Sequence, residues 1–333
     1  MIGNEDTSMY NNELITPGGV VKSFTFPDGE IRGDTFYIKH ISDNFTLIDC
    51  YLKDGDDRSC RKKEIISEIM RESAGRVCRF VSTHPDKDHI LGIEALDSQW
   101  PILNFYSVSN DIPVDKDDDS MLRYDILKSR QDYPIERGMV RAWMNKGKDG
   151  VGASGITFLW PALDNKKYVE ALKHVAHPGE NEDPSPNNIS CVIKYSVKNG
   201  ASYLWLGDME TDMQQEFFEK CKDKITPVDV LFHPHHGRES SRPPTELLDA
   251  LSPQIIVIGN APNQYLNRDN PQKTITQNKA GDVVFQNDIS RGYVHIFTSN
   301  NPSNMPEFLI QLSGIDRLFM GMNYQGSFRP RTA

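Results

Sequence analysis

Ser82-Thr83-His84-Pro85-Asp86-Lys87-Asp88-His89-Ile90-Leu91-Gly92 places two histidines and two aspartates within six positions. The residues before it, Arg76-Val77-Cys78-Arg79-Phe80-Val81, leave a glycine and are rich in β-branched and aromatic side chains, which predicts a short strand. Those after it, Ile90 to Leu96, predict the start of a helix. The cluster therefore sits on a strand-to-helix loop, where a scaffold can hold several ligands rigidly. Neutral imidazoles and carboxylates suit zinc, manganese or iron. The spacing His-x-Asp-x-Asp-His can aim alternate side chains at two adjacent ions. A polar surface loop with two chance histidines is the bland alternative, and further ligand candidates downstream argue against it.

Asp49 ends the apolar run Phe45-Thr46-Leu47-Ile48, and by itself is an ordinary strand-end aspartate. Asp208 ends the run Tyr203-Leu204-Trp205-Leu206, follows Gly207 and begins a helix expected over 210–221. A carboxylate there can bridge two metals; alone it would be an N-cap. The run Val228-Asp229-Val230-Leu231-Phe232 leads into His233-Pro234-His235-His236-Gly237. Three histidines in four positions at a strand end are hard to explain by packing, and point to metal or phosphate binding. Arg238, Ser240, Ser241 and Arg242 follow, all able to hold an anion.

Strand patterns bunch in both halves of the chain, at 20–26, 33–39, 45–50, 76–81 and 102–108, then at 155–161, 188–195, 203–206, 228–232, 255–259, 282–286 and 292–297. Helical patterns fall at 61–74, 210–221, 243–251 and 271–279. Alternation of this kind predicts an α/β protein, sheets covered by helices. The expected organisation is a polar lead over 1–20, one domain over 20–315 with a helical insertion at about 110–150, and a less regular tail over 316–333.

The insertion differs in composition. Asp115-Lys116-Asp117-Asp118-Asp119 reads as a solvated loop or as charge at a helix N-terminus. Over 121–148 there are seven Lys/Arg against three Asp/Glu, with Tyr124, Tyr133 and Trp143 among Arg123, Lys128, Arg130, Arg137, Arg141 and Lys146. Such a mixture, with Arg137, Arg141 and Trp143 as contacts, can serve single-stranded DNA or RNA by phosphate attraction and base stacking. The alternative is an amphipathic insertion whose aromatics pack inward.

The chain as a whole is acidic, with a net charge of -10 and a pI near 5.4. That excludes a surface-wide nucleic-acid coat, and leaves a local basic groove or a metal centre as the source of positive charge. No apolar run is long enough for a membrane helix, so no membrane insertion is expected. The start carries no secretory pattern, and five scattered cysteines without CxxC spacing predict reduced thiols in a cytoplasm.

His84-Pro85-Asp86-Lys87-Asp88-His89 resembles the HxHxDH signature of the metallo-β-lactamase fold, with Asp in place of the second His. The HxDxDH variant is similar to the hydrolase domain of the DNA-uptake protein ComEC and its soluble relatives. Gly33-Asp34 with Leu47-Ile48-Asp49, Phe158-Leu159-Trp160-Pro161, Asn188-Ile189-Ser190, Leu206-Gly207-Asp208, His235-His236-Gly237 with Ser240 and Ser241, and Asn263-Gln264-Tyr265 agree in order and spacing. The resemblance covers roughly 20–298. It departs at 265–271, where a Gly-His-Pro common in the family is absent, and in the insertion; with no membrane channel present, DNA uptake is not implied.

The resemblance implies an αββα sandwich of two mixed sheets and a hydrolase using two divalent ions, Zn or Mn. One ion would take His84, Asp86 and Asn188, where other branches place a histidine. The second would take Asp88, His89 and one of His235 or His236. Asp208 would bridge them, with Asp49 as an acceptor behind the ligand loop. The histidine of the 235–236 pair left over would protonate the leaving oxygen, beside Asp88 in the catalytic set. Ser240, Ser241, Asn263 and Tyr265 would contact substrate. The implied activity is a phosphodiesterase or nuclease working through metal-activated hydroxide. A hydrolase of a small molecule (cyclic nucleotide, phosphorylcholine ester or lactone) and a catalytically lapsed metal-binding interaction module are the alternatives.

Overall fold

The computed structural model describes residues 17–26, 33–54, 56–131, 133–147, 153–179, 185–261 and 271–331. Its first half runs β1 (Pro17–Ser23), β2 (Phe36–Lys39), β3 (Asn44–Ile48), α1 (Asp56–Ser73), β4 (Val77–Val81), α2 (Lys87–Ile90), α3 (Ile93–Gln99), β5 (Phe105–Tyr106) and α4 (Asp119–Ser129). Next come β6 (Ile156–Trp160), α5 (Lys166–Ala176), β7 (Val192–Ser196), β8 (Ser202–Trp205), α6 (Thr211–Cys221), β9 (Val230–Phe232), α7 (Thr245–Leu251) and β10 (Ile255–Ile258). β11 (Thr274–Thr276), α8 (Gln277–Ala280), β12 (Val283–Asp288), β13 (Tyr293–Thr298), β14 (Leu318–Phe319) and β15 (Met322–Phe328) complete it.

The strands form two mixed sheets. One has the order β14-β15-β13-β12-β1-β2-β3-β4-β5, the other β11-β10-β9-β8-β7-β6. Their facing sides interlock through aromatic rings: Phe36 meets Phe232 at 5.0 Å and Trp205 at 6.0 Å, and Phe285 meets Tyr203 at 5.8 Å. Trp205 stacks on Phe232 at 4.7 Å within the second sheet. Each such ring, taken out of water, contributes roughly 1.5–3 kcal/mol. On the far side of the first sheet, Tyr37, Phe45 and Phe80 pack with Ile65, Ile66 and Ile69 of α1, Ile93 and Leu96 of α3, and Tyr124 and Leu127 of α4. The far side of the second sheet is covered by Tyr168 of α5, Met213 and Phe217 of α6, and Leu247 and Leu251 of α7. The layers are helix, sheet, sheet, helix: an αββα sandwich of two mixed sheets, as expected.

Each sheet has a parallel portion. β3, β4 and β5 run parallel in the first, and β8, β9, β10 and β11 in the second. Ligands in such sheets gather outside the carboxyl ends of the strands. Asp49 leaves β3 there, the His84–His89 stretch leaves β4, Asp208 leaves β8 and His235-His236 leaves β9.

Three expectations change. Residues 271–279 do not form one helix: Thr274-Ile275-Thr276 adds to β10 as a parallel strand, and only 277–280 is α-helical. β-branched Thr and Ile at an open sheet edge outweigh a weak helical pattern. The segment after 315, expected to be irregular, gives β14 and β15, and β15 pairs antiparallel with β13 across a register shift beside Gly326. That shift and the glycines at 321 and 326 hide the alternation. Among the described residues of the insertion only α4 and a single π-turn at Ala142–Lys146 are helical, and Ile112, Ile135, Met139 and Met144 enter the core. Among the described residues no helix is long and apolar enough to cross a membrane.

Candidate metal centre

Asp49 is the hub of the first sheet's contribution. Its backbone turns into the left-handed region, φ 57°, while its N–H still bonds the Val81 carbonyl at 3.0 Å. The buried carboxylate accepts three hydrogen bonds: from the Thr83 N–H at 2.7 Å, the Thr83 hydroxyl at 2.6 Å and His89 Nδ1–H at 2.8 Å. The Cys50 N–H holds the His89 carbonyl at 2.8 Å, and Asp86 caps the single turn of α2 by accepting the Lys87 N–H at 2.7 Å. The ligand loop is thus tied to the strand ends on both sides.

The second sheet presents Asp208 through Gly207, whose φ of 56° suits glycine; a Cβ there would lie 2.7 Å from the Ser190 hydroxyl oxygen. His235 and His236 follow β9, and both have left-handed backbones, φ 50° and 53°. A left-handed non-glycine residue costs on the order of 1–3 kcal/mol, so the packing around this turn holds two such residues in place. At Gly259 a Cβ would come within 3.2 Å of the His236 Cα, so glycine lets β10 close on that turn.

The hydrogen-bond partners place a proton on Nδ1 of all four imidazoles. Asp49 accepts from His89 Nδ1–H at 2.8 Å, and Asp34 accepts from His236 Nδ1–H at 3.2 Å. The Thr83 hydroxyl spends its proton on Asp49, so it accepts from His84 Nδ1–H at 3.1 Å. Ser241 Oγ, donating to the Asp208 carbonyl at 3.5 Å, accepts from His235 Nδ1–H at 3.0 Å. Every Nδ1–H is therefore used outward. Asp208 meets the Nε2 atoms of His89 at 3.1 Å, His236 at 3.4 Å and His235 at 3.7 Å, while Asp88 meets His236 Nε2 at 3.2 Å. His84 Nε2, His89 Nε2 and Asp208 Oδ1 are buried without a hydrogen-bond partner. One ligand atom from each of Asp34, His89, Asp208 and His236 lies within 4.8 Å of the others.

Charge divides these groups. Burial pulls His89 and His236 down, but Asp208, with Asp49 for the one and Asp34 for the other, pulls harder, and both imidazoles rise well above their ordinary pKa. Burial and the neighbouring His89 lower His84 to about 3, and burial lowers His235. Burial pushes Asp208 and Asp88 up, yet the histidines overcome it, holding Asp208 well below the carboxylate range and Asp88 at about 2. Burial, with Asp88 beside it, raises Asp86 to about 6. Buried orphan atoms, neutral imidazole nitrogens and carboxylates are the donor set of a divalent transition metal, so the residues present fit such an ion.

The structure brings His89, His235 and His236 together around Asp208, with Asp88 against His236, His84 packed 4.2 Å from the His89 ring and Asp49 behind His89. It turns Asn188 elsewhere: its amide oxygen accepts the Glu210 N–H at 3.1 Å and its amide nitrogen donates to the Glu210 carboxylate at 2.8 Å. Both ends of the side chain are used at the start of α6, which corrects its expected role as a ligand. Ser241 is buried, with its hydroxyl bonded to the His235 ring at 3.0 Å, and Ser240 is exposed. Arg137 donates to the Lys220 carbonyl at 3.1 Å, at the end of α6. Arg141 lies 3.4 Å over the Tyr133 ring. Trp143 donates to the Tyr106 hydroxyl at 3.0 Å, with Arg79 stacked on it at 4.2 Å. These three are structural in their contacts, and the inward-packed alternative describes Trp143. Asn263 and Tyr265 lie outside the described residues. In the sequence Asp34 is only the neighbour of Gly33, with no role of its own. Here it holds His236, and its own N–H bonds the Asp88 carbonyl at 3.2 Å.

No family model and no curated protein matches the chain. Solved structures do. An isothiocyanate hydrolase from Delia radicum gut bacteria matches with 13% identity and a TM-score of 0.38, over 77% of this chain and 95% of that one. CmlA, a diiron β-hydroxylase from Streptomyces venezuelae, matches with 15% identity and a TM-score of 0.36, over 72% of this chain and 44% of that one. A long-form RNase Z from yeast matches with 13% identity and a TM-score of 0.35, over 64% of this chain and 32% of that one.

Proposed function

We propose that the protein is a metal-dependent hydrolase of a compact phosphodiester or related ester, holding two divalent ions, Zn or Mn. The observation that carries this reading is the set of inward-facing Nε2 atoms of His89, His235 and His236 around the buried Asp208 carboxylate, with His84 Nε2 buried nearby and without a hydrogen-bond partner. A divalent ion, when bound, supplies Lewis acidity and lowers the pKa of water from 15.7 towards about 7. The chain's own part is positioning. Asp49 orients His89 directly and His84 through Thr83; Asp34 orients His236; Ser241 orients His235. His235 keeps its one proton on Ser241, so it is read as a ligand and not as the donor to the leaving oxygen.

Two observations favour a compact substrate over a polynucleotide. Four of the insertion's cations make contacts within the protein: Arg123 with Asp97, Lys128 with Asp125 and the Asn110 carbonyl, Arg137 and Arg141 as described. The centre itself gathers five carboxylates, at 34, 49, 86, 88 and 208, more than the charge of two divalent ions. A polyanion would gain little from approaching them. We place the protein in the cytoplasm, a reading supported by five cysteines that are all free.

The test is metal analysis of the purified chain together with cleavage of bis(p-nitrophenyl) phosphate, a cyclic nucleotide, a phosphorylcholine ester, a lactone and a labelled single-stranded oligonucleotide, with added Mn or Zn. Metal-dependent turnover of a compact ester, lost in Asp88→Ala and His89→Ala, is expected. Full metal occupancy and full activity in both variants overturns the reading. Preference for the oligonucleotide moves it to a nuclease.

A further inference from the structure

Four imidazoles face one centre, but they are not held alike. Behind His89 and His236 stand carboxylates, Asp49 at 2.8 Å and Asp34 at 3.2 Å. Behind His84 and His235 stand hydroxyls, Thr83 at 3.1 Å and Ser241 at 3.0 Å. A carboxylate on Nδ1–H makes the ring a stronger donor and adds a negative charge near the ion; a hydroxyl fixes the ring and adds none. The same partition runs through the inner groups. Asp88 bonds His236 at 3.2 Å, and Asp208 approaches His89 at 3.1 Å and His236 at 3.4 Å but His235 only at 3.7 Å. The side of the centre with His89 and His236 thus collects Asp34, Asp49, Asp88 and Asp208. The side with His84 and His235 shares Asp208 and has hydroxyls directly behind its imidazoles, so that Asp49 reaches His84 only through Thr83. His235 is also the most exposed of the four imidazoles, at 7%.

We infer that the two metal positions are unequal by construction, the one at His89, His236, Asp88 and Asp208 filling first and the one at His84 and His235 filling second, with Asp34 as the positioning residue that makes the difference at His236. The inference rests on the metal-centre reading above and deepens it: the protein holds one ion at low metal supply and completes its centre only when metal is plentiful. The ligand pairs follow from which imidazole has a carboxylate behind it. Asp34 reaches His236 from a position 202 residues away in sequence, so the pairing is a property of the fold and not of the local motif.

The experiment is a calorimetric titration of the demetallated full chain with Zn, and separately with Mn, with bound metal counted after dialysis and folding checked by circular dichroism. The parent should take up two ions in two steps, the first at least tenfold tighter. Asp34→Ala should weaken the first step about 10- to 100-fold, the usual effect of losing an outer partner of a metal-bound histidine, and leave the second near the parent. Asp34→Asn keeps an acceptor oxygen and the side chain's shape without the charge, so it covers the case in which the alanine variant does not fold; it too should weaken the first step. Ser241→Ala should weaken only the second. Two equal steps in the parent, an unchanged first step in Asp34→Asn, or loss of the same step in the Asp34 and Ser241 variants overturns the inference while leaving the hydrolase reading standing. A folded parent that takes up no ion overturns both.

Discussion

Asp208→Ala should abolish the metal-linked stability of this protein. Asp208 is buried at the carboxyl end of β8 and is, among the described residues, the one carboxylate within 3.7 Å of three imidazoles, at His89, His236 and His235. An ion bound by the folded chain alone, present at roughly 100 to 1,000 times its Kd, stabilises it by about 2.7–4.1 kcal/mol. For a chain of 333 residues the unfolding entropy near the midpoint is about 0.7 kcal/mol per kelvin, so that stabilisation raises Tm by about 4–6 °C. The assay is a pair of thermal melts, with metal and with chelator, for parent and variant. The difference between the two melts is the readout, because the substitution also removes the counter-charge of His89 and His236 and lowers the metal-free melt by itself. The parent should show the shift and the variant less than about 1 °C, since loss of the shared carboxylate weakens every position at once. A variant with the parent's full shift would show that the ion sits elsewhere, and the assembly of the centre around Asp208 would fall.

Asn188→Ala should lower stability by about 1–3 kcal/mol in a urea melt, from two hydrogen bonds to Glu210, and leave the bound-metal count unchanged; loss of an ion would return Asn188 to the ligands. Arg137→Ala with Arg141→Ala should leave the salt dependence of oligonucleotide binding as in the parent, whereas two phosphate contacts would flatten the slope by about 1.4. His40, buried between the Ser154 carbonyl at 3.0 Å and the Thr46 hydroxyl at 2.8 Å, is held by burial to about 3. The unfolded chain binds that proton near pH 6.5 and the folded chain does not, so stability falls as pH falls from 6.5, by about 1.4 kcal/mol per unit from this residue. His40→Asn should remove that part of the slope in urea midpoints taken from pH 7 to 5, and an unchanged slope would refute the assignment.

How much of this was legible in the sequence depends on how local the chemistry is. The His84–His89 stretch names itself because its ligand types are adjacent and sit between a strand and a helix. Asp49 and Asp208 could be found because a carboxylate closing an apolar strand is a short-range pattern. Asp34 could not: one aspartate beside a glycine carries no signal until β2 lies next to β3 and the β9 turn comes back over it. Asn188 shows the opposite failure. It stands where a ligand was expected, but which way an amide points is decided by a neighbour, Glu210, whose N–H and carboxylate use both of its ends. Ser240 and Ser241 were equivalent as letters, and a 3-10 turn exposes one and buries the other. Composition saw the insertion's arginines and aromatics correctly and could not see that Trp143 is roofed by Arg79 or that Arg141 lies on Tyr133.

The same distinction explains why the centre belongs to the sandwich and not to either sheet. The first sheet ends in Asp49, His84, Asp88 and His89, and the second in Asp208, His235 and His236. Three of the short contacts among these residues cross the gap between the sheets: His89 to Asp208, His236 to Asp88 and His236 to Asp34. Below that seam the sheets are joined by rings such as Phe36 on Phe232, which hold them at a fixed separation but tolerate sliding. At the seam they are joined by buried charges, whose energy changes steeply with distance and geometry. A two-sheet fold with an aromatic core and an ionic rim sets its ligand spacing by the core and its ligand identity by the rim. Substitutions in the core should therefore disturb how well a metal fits, and substitutions at the rim whether it binds at all.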